Sequence, residues 1–366
     1  MASSVDHKQI YGAGTTAAPP PTPSSQTSHL STSAAADALS RLLHRLPPNL
    51  SLPTRRSPSV RSPPTISFSE TSNPSLLDRL LSASSELGFF QLTDHQISSR
   101  LALSAESESA ALFGLPMETK ESLFPKNWPL GFKGDGDEDS DGSGNGDSFS
   151  FCLDSTPCSS DSAEISLHSL QEFVRAMEKL GLKIVEFLSR AIGFENPIGE
   201  DRTRFRSLIW ISEGSRRAEP AVAGGFYPYI VGLQYQSRNQ KCSLLGDSSW
   251  VTAAAAADSV MVSIGDIAQV WSNGKLKKVR GRPVAVAADP NGGGISISLL
   301  ITLPAESEVR PLITPPARSD RRDEAAEEEE EEVKMAFKSF WLEEYAWRVH
   351  HDRCFLLKDP LDRYRI

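Results

Sequence analysis

Histidine is scarce in this chain, and its placement matters more than its number. The seven histidines are His7, His29, His44, His95, His168, His350 and His351, so none lies between residues 169 and 349. That interval offers no imidazole to a metal or to acid–base chemistry. Cysteine is sparse as well. Cys152, Cys158, Cys242 and Cys354 form no CxxC pair, which points to reduced thiols in a cytoplasmic compartment rather than to a zinc site or a disulfide framework. No apolar run approaches the roughly 18–20 residues of a membrane-spanning helix, and the first residues hold no secretory hydrophobic core. Positive charge is not in excess either. A formal net charge of −9 and an isoelectric point of about 5.4 argue against general affinity for nucleic acid or an anionic membrane.

What is present divides along the chain. Residues 1–62 are rich in Ser, Thr, Pro and Ala, a composition that buries too little apolar surface to order itself. The stretch 35–46 is an exception with helical periodicity, and the acid-poor, Ser-rich start also allows a plastid transit peptide. From residue 63 a short strand is expected over 63–70. A helix follows over 71–87, with Asn73 as N-cap, Pro74 at its first position and Gly88 as stop. A strand over 88–94 and helices over 97–113 and 117–124 come next. Residues 166–193 carry an apolar stripe at helical spacing and form the main helix. Beyond residue 204 short strands with turn signals take over, including "SVMVSIGDIAQVWSNG", and they suggest a sandwich or barrel. A Pro-rich linker, the acidic run Glu327–Glu332 and an amphipathic closing segment complete the chain.

Several local signals have plain readings. Lys275–Arg282 is read as the outward face of a twisted strand after a Ser-Asn-Gly turn, not as a nucleic-acid patch. Asp137, Asp139, Asp141 and Gly142 match the first half of a calcium loop, but Ser148 stands where the bidentate Glu is required. A solvated acidic loop is the better reading. "CLDSTPC" is read as a loop, and His350–His351 as aromatic packing on the core.

The strings "ELGFFQLTDHQIS", "SVMVSIGDIAQVWSNGKLKKV", "FWLEEY" and "KDPLDRYRI" resemble the plant-type Fe(II)/2-oxoglutarate-dependent dioxygenases, among them gibberellin oxidases and isopenicillin N synthase-like proteins. The resemblance implies an α+β fold with a double-stranded β-helix, or jelly roll, at its core and supporting helices at both ends. It implies a domain over 63–304, with a helical part to residue 200 and the β-helix core over 201–304. An acidic linker over 305–336 and a helix over 337–366 packing on the core would follow.

In that family a His-x-Asp pair and a distal His hold Fe(II), and an Arg-x-Ser motif holds the co-substrate carboxylate. The resemblance places Gly224 and Phe226 at the His-x-Asp pair and Gly281 at the distal His. Ser296 stands at the Arg position and Ser298 at the Ser position. Glycine and phenylalanine supply no lone pair, and serine cannot make a bidentate carboxylate pair. The expectation is therefore a catalytically silent family member that carries no cofactor, Fe(II) and 2-oxoglutarate being needed only by the alternative of an active oxygenase on a hormone- or flavonoid-like substrate. Tyr227, Tyr229 and Trp271 are candidates to fill or line the former site. Its partner would be an unidentified protein or a small apolar ligand, with no nucleic acid and no membrane. Of the remaining carboxylates Asp247, Asp258 and Asp266, none is an attractive ligand, and Asp266 has the look of a structural residue in the "GD" turn.

Overall fold

Helix α4 (His168–Ile192) shows why the sequence folds as it does. Leu170, Phe173, Val174, Met177, Gly181, Ile184, Val185 and Leu188 recur at three- and four-residue intervals and are all buried, which makes one apolar stripe along the helix. That stripe lies on a large β-sheet. The computed structural model describes residues 60–69, 75–133, 150–154, 167–199, 201–213, 227–246, 250–286, 294–313, 335–351 and 359–366, all within one unit, Pro58–Ile366.

Before α4 the chain runs through strands β1 (Val60–Arg61) and β2 (Thr65–Ser67), helix α1 (Ser75–Glu86) and strand β3 (Phe89–Thr93). Helices α2 (Ser99–Phe113) and α3 (Met117–Leu123) and strands β4 (Gly131–Lys133) and β5 (Ser150–Asp154) follow. After α4 come β6 (Arg206–Glu213), β7 (Val231–Gln236), β8 (Gln240–Leu245), β9 (Trp250–Ala255) and β10 (Ser259–Ile264). Helix α5 (Asp266–Trp271), β11 (Arg280–Val286), β12 (Ile295–Thr302), β13 (Glu308–Val309), β14 (Phe340–Trp341) and α6 (Leu342–His351) lead to a 3₁₀ turn at Pro360–Tyr364.

The larger sheet has eight strands in the order β2-β3-β10-β7-β12-β6-β5-β4, and the smaller has the order β1-β9-β8-β11. Pairing is antiparallel except for β2 with β3 and β1 with β9. This is the α+β, double-stranded β-helix architecture with its supporting helices. Because strand side chains alternate, β12 turns Ile297, Leu299 and Ile301 into the cluster shared with α4. Its other face carries Ser296, Ser298, Leu300 and Thr302. Leu300 there joins Leu208, Trp210, Tyr227 and Tyr229. Among the described residues no helix is long and apolar enough to cross a membrane.

The structure corrects three local readings. Asp266–Trp271 is a helix rather than part of a strand; all six of its residues are buried, so its apolar run has no period to separate the two. Residues 275–279 belong to no strand, and Lys278 is buried at 1% exposure rather than on an outward face. Cys152 and Asp154 lie on β5, not in a loop. Strand β13, inside the stretch read as a linker, pairs with β14 beyond it. The proposed cap Asn73, Pro74, the acidic loop beyond Lys133 and the run Glu327–Glu332 lie outside the described residues.

Candidate functional site

The segment from β10 to β11 builds the site. Gly265 joins β10 to α5, and a Cβ there would stand 2.0 Å from the Tyr229 carbonyl oxygen, so only glycine permits this approach. The Gly265 N–H donates to Ile230 O at 2.9 Å and that of Ile267 to Tyr229 O at 3.2 Å. These bonds fix the start of α5 against the strand that carries Tyr229. After α5 the chain turns through Asn273 and Gly274, and the Asn273 side chain accepts from the Ala336 N–H at 2.8 Å. Strand β11 then opens with a bulge: Arg280 pairs with Leu245, and the register shifts before Val284 meets Ser243. Gly281 sits in that bulge at φ 78°, the left-handed region where glycine carries no strain.

Tyr229 fills the space beside this bulge. It is 1% exposed, and its hydroxyl donates to Gly281 O at 2.6 Å, with Val279 O and Ser263 Oγ each at 3.2 Å. Tyr227 lies in the same cluster and packs on Trp128 with ring centroids 5.6 Å apart. Burial pushes its phenol above the ordinary value, against the opposing pull of Arg206. Trp271 is elsewhere. It belongs to the helix-side core and meets Phe194 edge-on at 6.3 Å. The structure thus brings Tyr227, Tyr229 and Gly281 to one end of the barrel and leaves Trp271 apart. Gly224, Phe226 and Asp247 lie outside the described residues.

Ser296 and Ser298 face the barrel interior from β12. The Ser296 hydroxyl accepts from Gln234 Nε2. Gln234 Oε1 accepts from Gln236 Nε2 at 3.3 Å, and Gln236 Oε1 from Gln240 Nε2 at 2.5 Å and the Cys242 thiol at 3.7 Å. Burial pushes that thiol up to about 12. Ser298 is 2% exposed, and among the described residues its hydroxyl has no hydrogen-bond partner. The sequence alone did not single out this run of buried amides.

A second polar centre was also missed. Lys278 Nζ donates to Asp266 Oδ1 at 2.5 Å and to Asp359 Oδ1 at 2.6 Å. The Tyr345 hydroxyl donates to the same Asp266 oxygen at 3.0 Å, and the Leu361 N–H to Asp359 at 3.0 Å. Burial alone would raise the Asp359 carboxyl, but the Lys278 ammonium, helped by the Leu361 N–H and Arg280, outweighs it and holds the carboxyl below its ordinary value. Burial drives the Tyr345 phenol well up. Asp266 is therefore a structural ion-pair partner. Asp258 is engaged too, accepting from the Tyr235 hydroxyl at 3.0 Å. His350 packs edge-on against Trp128 at 5.4 Å.

Comparison with known proteins identifies the scaffold. The family described as non-haem dioxygenase in morphine synthesis N-terminal matches residues 63–173. Gibberellin 2-beta-dioxygenase 2 of Arabidopsis thaliana is 23% identical over 71% of this chain and 81% of its own length. Jasmonate-induced oxygenase 3 of the same plant is 24% identical over 72% and 78%. A structure of JOX2 in complex with 2-oxoglutarate, Fe and JA superposes with a TM-score of 0.62 at 18% identity, covering 85% of this chain and 92% of that one. In sequence and in fold the chain is similar to Fe(II)/2-oxoglutarate dioxygenases. A further neighbour with the same fold is the rice dioxygenase for auxin oxidation, with a TM-score of 0.58 at 16% identity over 83% of this chain and all of that one.

This similarity corrects the expectation that no cofactor is involved. The relatives are dioxygenases, the JOX2 structure holds 2-oxoglutarate and Fe, and a Neurospora crassa T7H structure holds alpha-KG. Fe(II) and 2-oxoglutarate are the cofactors of this superfamily. Among the described residues no group of three His, Cys, Asp or Glu is placed to hold a metal. Gly281 presents a carbonyl already engaged by Tyr229, and the Ser296 hydroxyl accepts from the Gln234 amide.

Proposed function

We propose that this dioxygenase-superfamily chain has kept the scaffold without the oxidation reaction, and acts by binding a small apolar ligand or a partner protein. The observation that carries this reading is the contact between Tyr229 and Gly281. The resemblance draws an iron ligand from position 281, where this chain has no side chain. A buried phenol bonds to the backbone there at 2.6 Å. A phenol so placed packs the end of the barrel, and its hydroxyl is committed to backbone carbonyls. The neutral run from Ser296 to Gln240 supports the same reading, because it satisfies itself by amide and hydroxyl bonds instead of offering a fixed positive charge.

The test is turnover. Full-length protein is supplied with Fe(II), ascorbate, 2-oxoglutarate and a panel of gibberellins, jasmonate and flavonoids, and succinate is measured. Succinate at the level of a protein-free control is the expected result. Succinate formed in many turnovers per chain sinks the reading and establishes the second one, an oxygenase acting on a hormone- or flavonoid-like substrate through an unorthodox iron site. The relatives' names and the 81% coverage of the gibberellin 2-beta-dioxygenase favour that alternative.

A further inference from the structure

A groove of about 560 Å³ opens outside the barrel, between helix α2 and the end of the large sheet. Helix α2 turns Ala102, Ala105, Ser109 and Leu112 to the core. Leu103, Glu106 and Ala110, at spacings of three and four, therefore share its outer face and form one wall. Arg238, Gly294 and Ile295 form the other. Leu103 is 57% exposed, an apolar side chain with no cover.

Arg238 spans the groove. Its Nη2 donates to Glu106 Oε1 at 2.6 Å, and this bond sets the plane of the guanidinium. Its Nε and Nη1 have no hydrogen-bond acceptor among the described residues. The arginine side chain is 52% exposed and that of Glu106 18%, so the cation is the more accessible member of the pair. Gly294 makes room for it, since a Cβ there would lie 2.9 Å from Nη2 and 3.3 Å from Nη1.

We infer that this groove binds a small molecule with an apolar body and a terminal carboxylate. The carboxylate accepts from the Arg238 N–H groups that Glu106 leaves free. Its two oxygens pair with the remaining Nη2 hydrogen and with its neighbour on the same edge of the planar guanidinium. The body lies along Leu103, Ala110 and Ile295. The volume falls in the range of small-molecule sites. Glu106 disfavours a doubly charged anion such as phosphate by repulsion, whereas a single carboxylate meets less of it. The site lies outside the barrel, so it stands or falls independently of whether the chain turns over 2-oxoglutarate.

The experiment is a titration of full-length protein with phenylacetate and octanoate, followed by calorimetry and ligand-observed NMR. Their methyl esters and inorganic phosphate serve as controls. Saturable binding of the acids is expected, with the esters at least about tenfold weaker because a charge-assisted bond is lost. Arg238→Gln weakens the acids by about tenfold or more, and Leu103→Ser, a change at an exposed position that leaves the fold intact, weakens them severalfold. Glu106→Gln has the opposite sign and tightens binding, because it removes the competing carboxylate. The inference is overturned by absence of saturable binding, by esters or phosphate binding as well as the acids, by indifference to Arg238→Gln, or by Glu106→Gln weakening binding as Arg238→Gln does.

Discussion

The two faces of strand β12 are held by different physics. Toward α4, Ile297, Leu299 and Ile301 pack among Phe173, Met177 and Ile184, and shape and volume decide the fit. Toward the smaller sheet, Ser298 and Thr302 are buried with Gln234 and Gln236 and Ser296 is half-buried, and hydrogen bonds decide it. Thr302 donates to Pro228 O at 2.8 Å and Ser296 accepts from Gln234. A core built only for stability has little use for buried hydroxyls and amides, since each costs free energy unless partnered. The helix-facing side is what any sequence with this fold must supply, whereas the interior side carries choices particular to this chain.

Substitutions can break or sharpen this contrast. The largest effect is expected where a polar group is buried with charged partners. Lys278→Met leaves Asp266 and Asp359 uncompensated and lowers unfolding free energy by about 3–5 kcal/mol in urea denaturation. On the apolar side Leu299→Ala, at a residue 2% exposed, costs about 2–5 kcal/mol through lost burial and the cavity left behind. A pH effect follows from His95, which accepts from the Ile97 N–H through Nδ1 and meets Asp258 O through Nε2, each at 3.2 Å. Burial lowers its pKa from the ordinary 6.5, against the opposing influence of Asp258 and Asp94. The unfolded chain then binds a proton that the native one resists. Stability is full above about pH 6.5 and declines as the pH falls from there toward the lowered native value. His95→Gln flattens that part of a melting-temperature profile. Ser298→Ala gives the smallest change, within about 0.5 kcal/mol, because its hydroxyl has no partner to lose among the described residues. A large loss at Ser298 would instead show that the interior face depends on it as tightly as the outer face depends on Leu299.

Much of the fold was legible because its period was. The stripe in α4 stands out, since its apolar residues recur at helical spacing against polar neighbours. Asp266–Trp271 did not, because a segment buried on every side has no polar face to mark its turn. Lys278 was misread for a related reason. Lysine is ordinarily exposed, and its partners lie 12 and 81 positions away, beyond the reach of local pattern. At the site, Gly281 was legible only through the family resemblance, which marks what should stand there. Residue order alone does not show that Tyr229, 52 positions earlier, bonds to that backbone. The groove walls likewise come from three separated stretches that only folding assembles.

The bulge at Gly281 also limits which residues this position accepts. Its φ of 78° suits glycine, and any other residue there costs about 1–2 kcal/mol. An imidazole introduced at 281 must pay that strain while the Tyr229 phenol still crowds the same carbonyl. Position 281 is thus coupled to Tyr229 through the backbone, and a single substitution to any larger residue there is uphill.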